Sequence, residues 1–187
     1  MTEVVEDNVL NIAVKGSYDD CQKIAKSLLQ HDSFNRHVVS LNSINWLRVM
    51  GQVAYYVWLS KQFTSPINVA IPSGNFGNAY SAWFGRSNGL SINEIFCASN
   101  SNDVLTRFIT TGTLEPKHTV KTIAPSMDIQ IPSSLERLIY DLAGPTKSFY
   151  ELLQKDRKVS LAPSLHERLI SIFSSLSFSD GEILKEV

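Results

Sequence analysis

The strongest constraint on the fold is a short apolar run that ends in a loop bracketed by two glycines. Ile67–Ile71 form the run, Gly74 and Gly77 bracket the loop, and Ala79–Arg86 favour a helix. A strand that turns into a helix in this way directs several backbone N–H groups at one place, where the helix dipole also favours an anion. The pattern predicts a phosphate site. The alternative is an ordinary strand-to-helix turn, in which glycine supplies a positive φ and asparagine makes local hydrogen bonds.

The loop does not match either of the two common nucleotide-binding motifs. A P-loop requires Gly-Lys-Ser/Thr at its end, but Asn78 follows Gly77 in this chain. A dinucleotide fingerprint requires G-x-G-x-x-G, whereas Gly74 and Gly77 stand three positions apart. We therefore expect backbone amides to hold the anion, with no lysine in the loop.

A second glycine pattern resembles a catalytic motif but does not fit its context. Gly85–Gly89 match G-x-S-x-G, the nucleophile elbow of α/β-hydrolases, which lies between a strand and the following helix. In this chain the pattern lies at the end of a predicted helix, ahead of the next predicted strand. Ser87 and Gly89 therefore predict a helix end with a left-handed cap, and no catalytic serine.

Composition argues for a globular protein with a core of its own. The chain has 187 residues, 43% of them hydrophobic, and a formal net charge of −1, which gives no electrostatic reason to bind nucleic acid or a membrane surface. The acidic start and the lack of an apolar run of roughly 20 residues predict a cytoplasmic protein. The histidines and cysteines show no metal-ligand spacing, so we expect no metal site.

Apolar periodicity predicts alternating strands and helices, which is typical of an α/β protein with a parallel sheet. Asn and Ser residues ahead of the second helix favour a cap, and that helix is apolar nearly all round, so we expect it to be central and buried. The capping-box pattern Ser133–Glu136 predicts the start of a further helix. The predicted strands are Leu10–Val14, Ile67–Ile71 and Glu94–Ala98. Of the helices predicted before Ser133, the first begins at Asp19 or Asp20, the second spans Ser43–Lys61, the third ends near Gly89 and the fourth ends near Gly112.

Five segments that stand in order along the chain form a recognisable set: Tyr18–Gln22, Asn42–Trp46, Pro72–Gly77, Asn102–Phe108 and Pro125–Ile129. Together they resemble the threonine synthase family, whose members use pyridoxal phosphate. The resemblance implies an α/β, three-layer parallel-sheet fold, as in part of a fold-type II enzyme such as tryptophan synthase β. It also implies two parts. Residues 1–40 would be a β-α unit from the edge of the smaller lobe, and residues 41–187 part of the large cofactor-binding lobe with a helical C-terminal tail.

The same resemblance implies a cofactor site. Phe76 is expected to pack beneath the loop, while Ser126 and Asp128 are expected on the substrate side. Asn42 and Asn45 are further candidates from their position where a buried helix begins, and we expect Asn45 to contact the cofactor because buried polar groups need partners. The alternative is that Asn42 or Ser43 only caps the helix. The residues implied to hold the phosphate of pyridoxal phosphate are Ser73, Gly74, Asn75, Phe76 and Gly77.

The implied reaction of the intact enzyme converts O-phospho-L-homoserine and water to L-threonine and phosphate. The family's Schiff-base lysine segment, its Ser-Gly-Asp-Thr-Gly loop and its C-terminal part find no match, so we expect an internal fragment with no catalytic residue of its own that is inactive alone. We expect the chain to bind a small phosphorylated amino acid and the missing remainder of the enzyme. We expect it to bind neither nucleic acid nor a membrane. The alternatives are a related pyridoxal-phosphate-dependent phospho-lyase or dehydratase, and a non-catalytic remnant or interaction module.

Overall fold

The structure is a computed structural model that describes residues 6–30, 39, 45–144 and 149–186. The chain divides into two compact units, residues 1–38 and residues 39–187. In the part that the structure describes, no helix is long and apolar enough to cross a membrane.

The described part of the first unit contains one helix, α1 (Tyr18–Gln30). Its start is fixed by a reciprocal pair of hydrogen bonds, in which Ser17 N–H donates to the Asp20 carboxylate and Asp20 N–H donates to Ser17 Oγ. The bonds that the Ser17 N–H and the Ser17 hydroxyl donate to the carboxylate lower the pKa of Asp20, because they stabilise its ionised form. The predicted strand at Leu10–Val14 is wrong, since these residues are exposed and form no strand. An apolar run becomes a strand only when a neighbouring strand accepts its hydrogen bonds.

The second unit is built around a three-stranded parallel sheet with the order β1 (Ile67–Pro72), β2 (Ile92–Ser99) and β5 (Phe173–Ser177), so the α/β expectation is confirmed. Cys97 in the central strand lies opposite Ile71 on one side and Ser175 on the other. A short antiparallel pair, β3 (Thr113–Leu114) with β4 (Val159–Ser160), lies outside this sheet. The elements of this unit are α2 (Trp46–Ser60), β1 (Ile67–Pro72), α3 (Gly77–Ser87), β2 (Ile92–Ser99), α4 (Val104–Thr111), β3 (Thr113–Leu114), a 3₁₀ turn (Pro125–Met127), α5 (Leu135–Ala143), α6 (Phe149–Asp156), β4 (Val159–Ser160), α7 (Pro163–Ile170), β5 (Phe173–Ser177) and α8 (Asp180–Ile183).

The two faces of the parallel sheet differ in burial. Helices α3 and α4 pack on one face, where Ile95 and Cys97 are completely buried and Thr106 Oγ1 lies 2.8 Å from Ser175 Oγ. On the opposite face, Ala70 and Leu176 are exposed. This alternation follows from the period of two along a strand, which sends successive side chains to opposite faces.

The burial predicted for α2 is wrong. The helix spans Trp46–Ser60, close to its predicted bounds, but only Val49 and Tyr56 are buried along it. Leu47 and Trp58 are among several large apolar side chains that it exposes. A helix that is apolar nearly all round needs other elements to pack on each of its faces. Its composition does not show whether those elements belong to the same compact unit.

The ends of α3 and α4 follow the sequence signals closely, whereas the start of α5 does not. Ser87 ends α3 and Gly89 has a φ of 93°, which confirms the helix cap and excludes the nucleophile-elbow geometry. Gly112 ends α4 with a φ of 71°. Helix α5 is present, but the capping box predicted at Ser133–Glu136 is wrong, because the N-cap is Ser134, one residue later, and its side chain makes no cap hydrogen bond. The preceding serine, Ser133, instead donates to a residue of the glycine loop.

The two cysteines should react very differently with a thiol reagent. Burial raises the pKa of the Cys97 thiol to about 12, so thiolate is scarce at neutral pH and the side chain is inaccessible. Cys21 is exposed. We expect maleimide at pH 7.5 to modify Cys21 at least tenfold faster than Cys97, with both modified at similar rates in denaturant. Peptide mass spectrometry measures both rates, and fast native modification of Cys97 would contradict the packing of β2.

Candidate functional site

The glycine loop lies between the carboxyl end of β1 and the amino end of α3. The backbone N–H of Ser73 still belongs to the sheet, because it donates to Ala98 O at 2.9 Å. After it the chain leaves the sheet and enters α3 at Gly77. The first N–H groups of a helix have no acceptor within the helix. Among the described residues, the N–H groups of Gly77, Asn78 and Ala79 have no backbone acceptor, so the loop surrounds a set of unpaired donors.

Phe76 sets the direction in which α3 leaves the loop. Its φ is 67°, the left-handed region that a residue other than glycine seldom adopts, at a cost of about 1–2 kcal/mol. The side chain is 1% exposed, and its ring centroid lies 5.2 Å from that of Phe173 on β5. The prediction that Phe76 packs beneath the loop is therefore confirmed. Burial of the ring offsets the backbone cost and fixes the turn.

Gly74 is required by a close approach between two backbone segments. A Cβ atom at Gly74 would lie 3.1 Å from Met127 Cα and 2.9 Å from Ile129 Cδ1. A backbone atom has little freedom to retreat from such a contact. The loop is thus held directly against the segment 126–129, and any larger residue at Gly74 would separate the two.

Asn75 connects the loop to the start of α5. Its backbone oxygen accepts a hydrogen bond from Ser134 N–H at 3.0 Å. Its side-chain Oδ1 accepts from Ser133 Oγ at 3.2 Å and from Ser133 N–H at 3.4 Å. These bonds show that Oδ1 of Asn75 serves the packing of the loop against α5.

Asp128 holds the segment that covers Gly74. Its carboxylate accepts hydrogen bonds from Asn100 Nδ2 at 2.8 Å and Asn102 Nδ2 at 3.0 Å, both in the turn that follows β2. Thr122 adds its hydroxyl at 2.7 Å and its backbone N–H at 3.1 Å. Asn100 and Asn102 are buried, so these bonds satisfy groups that water cannot reach. The structure shows the Asp128 carboxylate in this network, and its expected position on the substrate side remains a prediction.

Helix α3 is held at its first turn by polar side chains of α2. The Asn78 side chain accepts a hydrogen bond from the Tyr56 hydroxyl and donates to Gln52 Oε1 at 3.4 Å. Ser81 Oγ lies 3.1 Å from Val49 O on the same helix. Burial raises the pKa of Tyr56 well above its usual range, so the hydroxyl keeps the proton that it donates. The amino end of α3 therefore has a fixed direction.

Two buried serines beside the loop have side-chain hydroxyls without a hydrogen-bond partner among the described residues. Ser99 follows Ala98, whose oxygen receives the Ser73 N–H, and Ser134 donates its own N–H to the loop. The Oγ atoms of Ser99 and Ser134 have no partner among the residues that the structure describes. Sequence reasoning missed both residues. Ser99 could have been found, because it stands at the carboxyl end of a strand adjacent to the loop strand, where ligands of parallel sheets bind.

Of the two asparagines predicted ahead of α2, the structure describes Asn45 and not Asn42. Asn45 is the N-cap of α2, where its Oδ1 accepts from Leu47 N–H at 3.0 Å, so it occupies the capping role that the sequence assigns to Asn42 or Ser43. Asn42 and Ser43 lie outside the described residues. Contact between Asn45 and a cofactor remains a prediction.

Comparisons with known proteins agree on one family. The family model described as pyridoxal-phosphate dependent enzyme matches residues 3–153. A threonine synthase of Pseudomonas aeruginosa is 33% identical over an alignment that covers the whole chain and 42% of that relative. The crystal structure of threonine synthase from yeast matches with a TM-score of 0.81 and 32% identity, over 99% of this chain and 40% of that one. A threonine synthase from Brucella melitensis, solved with pyridoxal phosphate bound, matches with a TM-score of 0.75 and 29% identity, over 90% of this chain and 38% of that one. The chain thus spans about 40% of the length of these relatives.

Removal of the Asp128 carboxylate should destabilise the segment that covers the loop. Asp128→Ala removes the acceptor of the Thr122 hydroxyl and one of the two acceptors of each buried amide group, those of Asn100 and Asn102. We expect the free energy of unfolding to fall by about 2–3 kcal/mol. Urea unfolding followed by tryptophan fluorescence measures the change. Asp156→Ala, at an exposed carboxylate on α6, is the matched control and should change stability by less than about 0.5 kcal/mol. Equal unfolding midpoints for the two variants would contradict the role of Asp128.

Proposed function

Because this chain belongs to the family of pyridoxal-phosphate-dependent enzymes, we propose that it forms the phosphate-binding portion of a threonine synthase. Joined to the segments that it does not span, it would convert O-phospho-L-homoserine and water to L-threonine and phosphate. The names of its relatives support this activity, and so does the similarity of its fold to solved threonine synthases. The proposed substrate is accordingly a small phosphorylated amino acid.

The loop between β1 and α3 carries this proposal. The unpaired N–H groups at the start of α3 provide donors for a phosphate, and the positive end of the helix dipole favours the same group. The cofactor's phosphate fits this donor set, since the loop needs an acceptor-rich anion and contains no charged side chain. The residues proposed to hold it are Ser73, Gly74, Asn75, Phe76 and Gly77.

When bound, pyridoxal phosphate supplies the electron sink for the chemistry at the substrate's α- and β-carbons. The residues of this chain would bind the cofactor's phosphate and orient the cofactor. Phe76 directs the donors of α3, and Gly74 permits the cover by the segment 126–129. Asp128 holds that cover in place. These residues would hold the phosphate end of the cofactor and would thereby restrict the orientation of its reacting end.

We expect the chain alone to be inactive. None of its lysines stands in a segment that matches the family's Schiff-base motif, and a carbonyl cofactor of this type needs a lysine amine as its protein partner. We also propose that residues 41–187 belong to the large cofactor-binding lobe, that residues 1–40 belong to the smaller one, and that the protein acts in the cytoplasm. Contact of Asn45 with the cofactor is part of the same proposal.

The phosphate site can be tested without catalysis. We expect the chain to bind pyridoxal phosphate at least tenfold more tightly than pyridoxal, because only the former has the phosphate that the loop donors require. Gly74→Val should abolish that preference, since its side chain would collide with Met127 and Ile129. Gly181→Val is the matched control, because nothing lies within 4 Å of its Cβ position. Isothermal titration calorimetry measures the affinity of each of the three proteins for each of the two compounds. Equal binding of both compounds to the unchanged chain would refute the phosphate site.

The activity needs the remainder of the enzyme. The chain should be co-expressed with the portions of the Pseudomonas aeruginosa threonine synthase that its alignment does not cover, and phosphate release from O-phospho-L-homoserine measured with cofactor present. We expect release by the co-expressed pair and none by the chain alone. Release by the chain alone would overturn the prediction that it is inactive. A complex that forms and releases no phosphate would contradict the proposed activity.

A further inference from the structure

The backbone of Phe76 decides where the first N–H groups of α3 point. Its carbonyl oxygen accepts the first hydrogen bond of the helix, from Tyr80 N–H at 2.9 Å. The residue before it is anchored to a different element, because Asn75 O accepts from Ser134 N–H at 3.0 Å. A rotation within Phe76 would therefore turn the amino end of α3 relative to the anchored part of the loop.

Phe76 does not hold its conformation by backbone preference. Its φ is 67°, and a residue other than glycine adopts the left-handed region about 5- to 30-fold less readily than the right-handed one. The conformation must therefore be stabilised by contacts of the side chain. The ring of Phe76 is 1% exposed, so these contacts lie inside the core.

The ring of Phe76 meets the ring of Phe173, the first residue of β5. The two centroids lie 5.2 Å apart, and the ring planes are inclined at 56°. This distance is within the range that aromatic pairs favour. Phe173 supplies the one ring contact of Phe76 among the described residues, and it is itself 2% exposed. The partner of Phe76 is thus a buried residue that is far from the loop in sequence.

Strand β5 has a fixed register, so Phe173 has a defined place. Phe173 lies opposite Ile95 of the central strand. Ser175 follows on the same face of β5, and its hydroxyl donates to Cys97 O at 2.6 Å. Because that hydroxyl has a single proton, the Thr106 hydroxyl, 2.8 Å away, donates to Ser175 Oγ. These bonds connect β5 to β2 and to α4 without involving the glycine loop.

We propose that Phe173 is a positioning residue for the phosphate of the cofactor. Its ring holds Phe76 in the left-handed conformation and thereby keeps the first N–H groups of α3 directed at the phosphate. Phe173 acts through Phe76. The inference rests on the proposed function, because it concerns the same phosphate site.

This role makes the phosphate site depend on a strand that lies outside the motif. The match to the family model ends at residue 153, ahead of β5. The sequence of the glycine loop supplies the donors, and the residue at position 173 keeps them in one direction. A chain with the same loop and without an aromatic residue at position 173 would therefore bind phosphate more weakly.

Phe173→Leu tests the role, because it removes the ring and keeps the side chain apolar. We expect its affinity for pyridoxal phosphate to fall about 5- to 30-fold, since apparent affinity falls with the fraction of chains that hold the competent conformation. Its affinity for pyridoxal, which has no phosphate, should change by less than about twofold. Isothermal titration calorimetry measures both. An equal change in the two affinities, or no change in either, would overturn the proposal.

A second substitution separates positioning from general packing. Phe76→Gly gives a residue that adopts a positive φ without a ring to hold it. In a chain that carries Phe76→Gly, the further change Phe173→Leu should alter the affinity for pyridoxal phosphate by less than about twofold. An equal loss with and without Phe76→Gly would show that Phe173 acts by packing alone, which would overturn the proposal.

Leu114→Ala is the matched control for lost core packing. It removes the same number of carbon atoms as Phe173→Leu, from a side chain that is 0% exposed on β3, outside the parallel sheet. We expect a lower midpoint of urea unfolding and an undiminished preference for pyridoxal phosphate over pyridoxal. This comparison decides the proposal even if Phe76→Gly does not fold. An equal loss of the preference in Leu114→Ala and Phe173→Leu would contradict the positioning role.

The phosphate site and its positioning residue can fail separately. Equal affinities of the unchanged chain for pyridoxal phosphate and pyridoxal refute the phosphate site, and the role of Phe173 with it. A preference for pyridoxal phosphate that is present in the unchanged chain and persists in Phe173→Leu supports the phosphate site and overturns the role of Phe173.

Discussion

The close approach of Gly74 to the backbone of Met127 is the constraint on which the rest of the site depends. It brings a loop from the carboxyl end of β1 against a segment that follows α4 by more than ten residues. The carboxylate of Asp128 maintains this contact, because it gathers donors from the turn after β2 and from Thr122. With that segment in place, Asn75 reaches α5, and the amino end of α3 has a single direction.

Local signals predicted those parts of the fold that local chemistry determines. The strand before the loop, the helix after it, the glycine caps at Gly89 and Gly112 and the parallel arrangement all follow from periodicity and turn residues. The strand at Leu10–Val14 and the burial of α2 were wrong for one shared reason. Each required a partner from elsewhere, and an apolar pattern shows the need for a partner without showing where it lies.

The candidate site likewise has parts that the sequence predicts and parts that it does not. The loop and the packing of Phe76 could be predicted, because glycine spacing and a large apolar residue carry that information within a few positions. The network around Asp128 could not, since it joins residues between 6 and 28 positions apart whose side chains have no periodicity. The failed capping box shows the competition between local and distant partners. Ser133 fits the local motif, yet its hydroxyl bonds Asn75, 58 positions away.

Phe76 adds a consequence for the order of folding. Its left-handed backbone is unfavourable by itself and becomes stable only when its ring meets Phe173, a residue of the last strand in the sheet. Contacts between residues so distant in sequence form slowly, because the intervening chain must lose its conformational entropy first. During synthesis, the turn at Phe76 would thus be completed only after β5 has emerged from the ribosome. A nascent chain that stops short of β5 would contain the sequence of the glycine loop without its folded geometry.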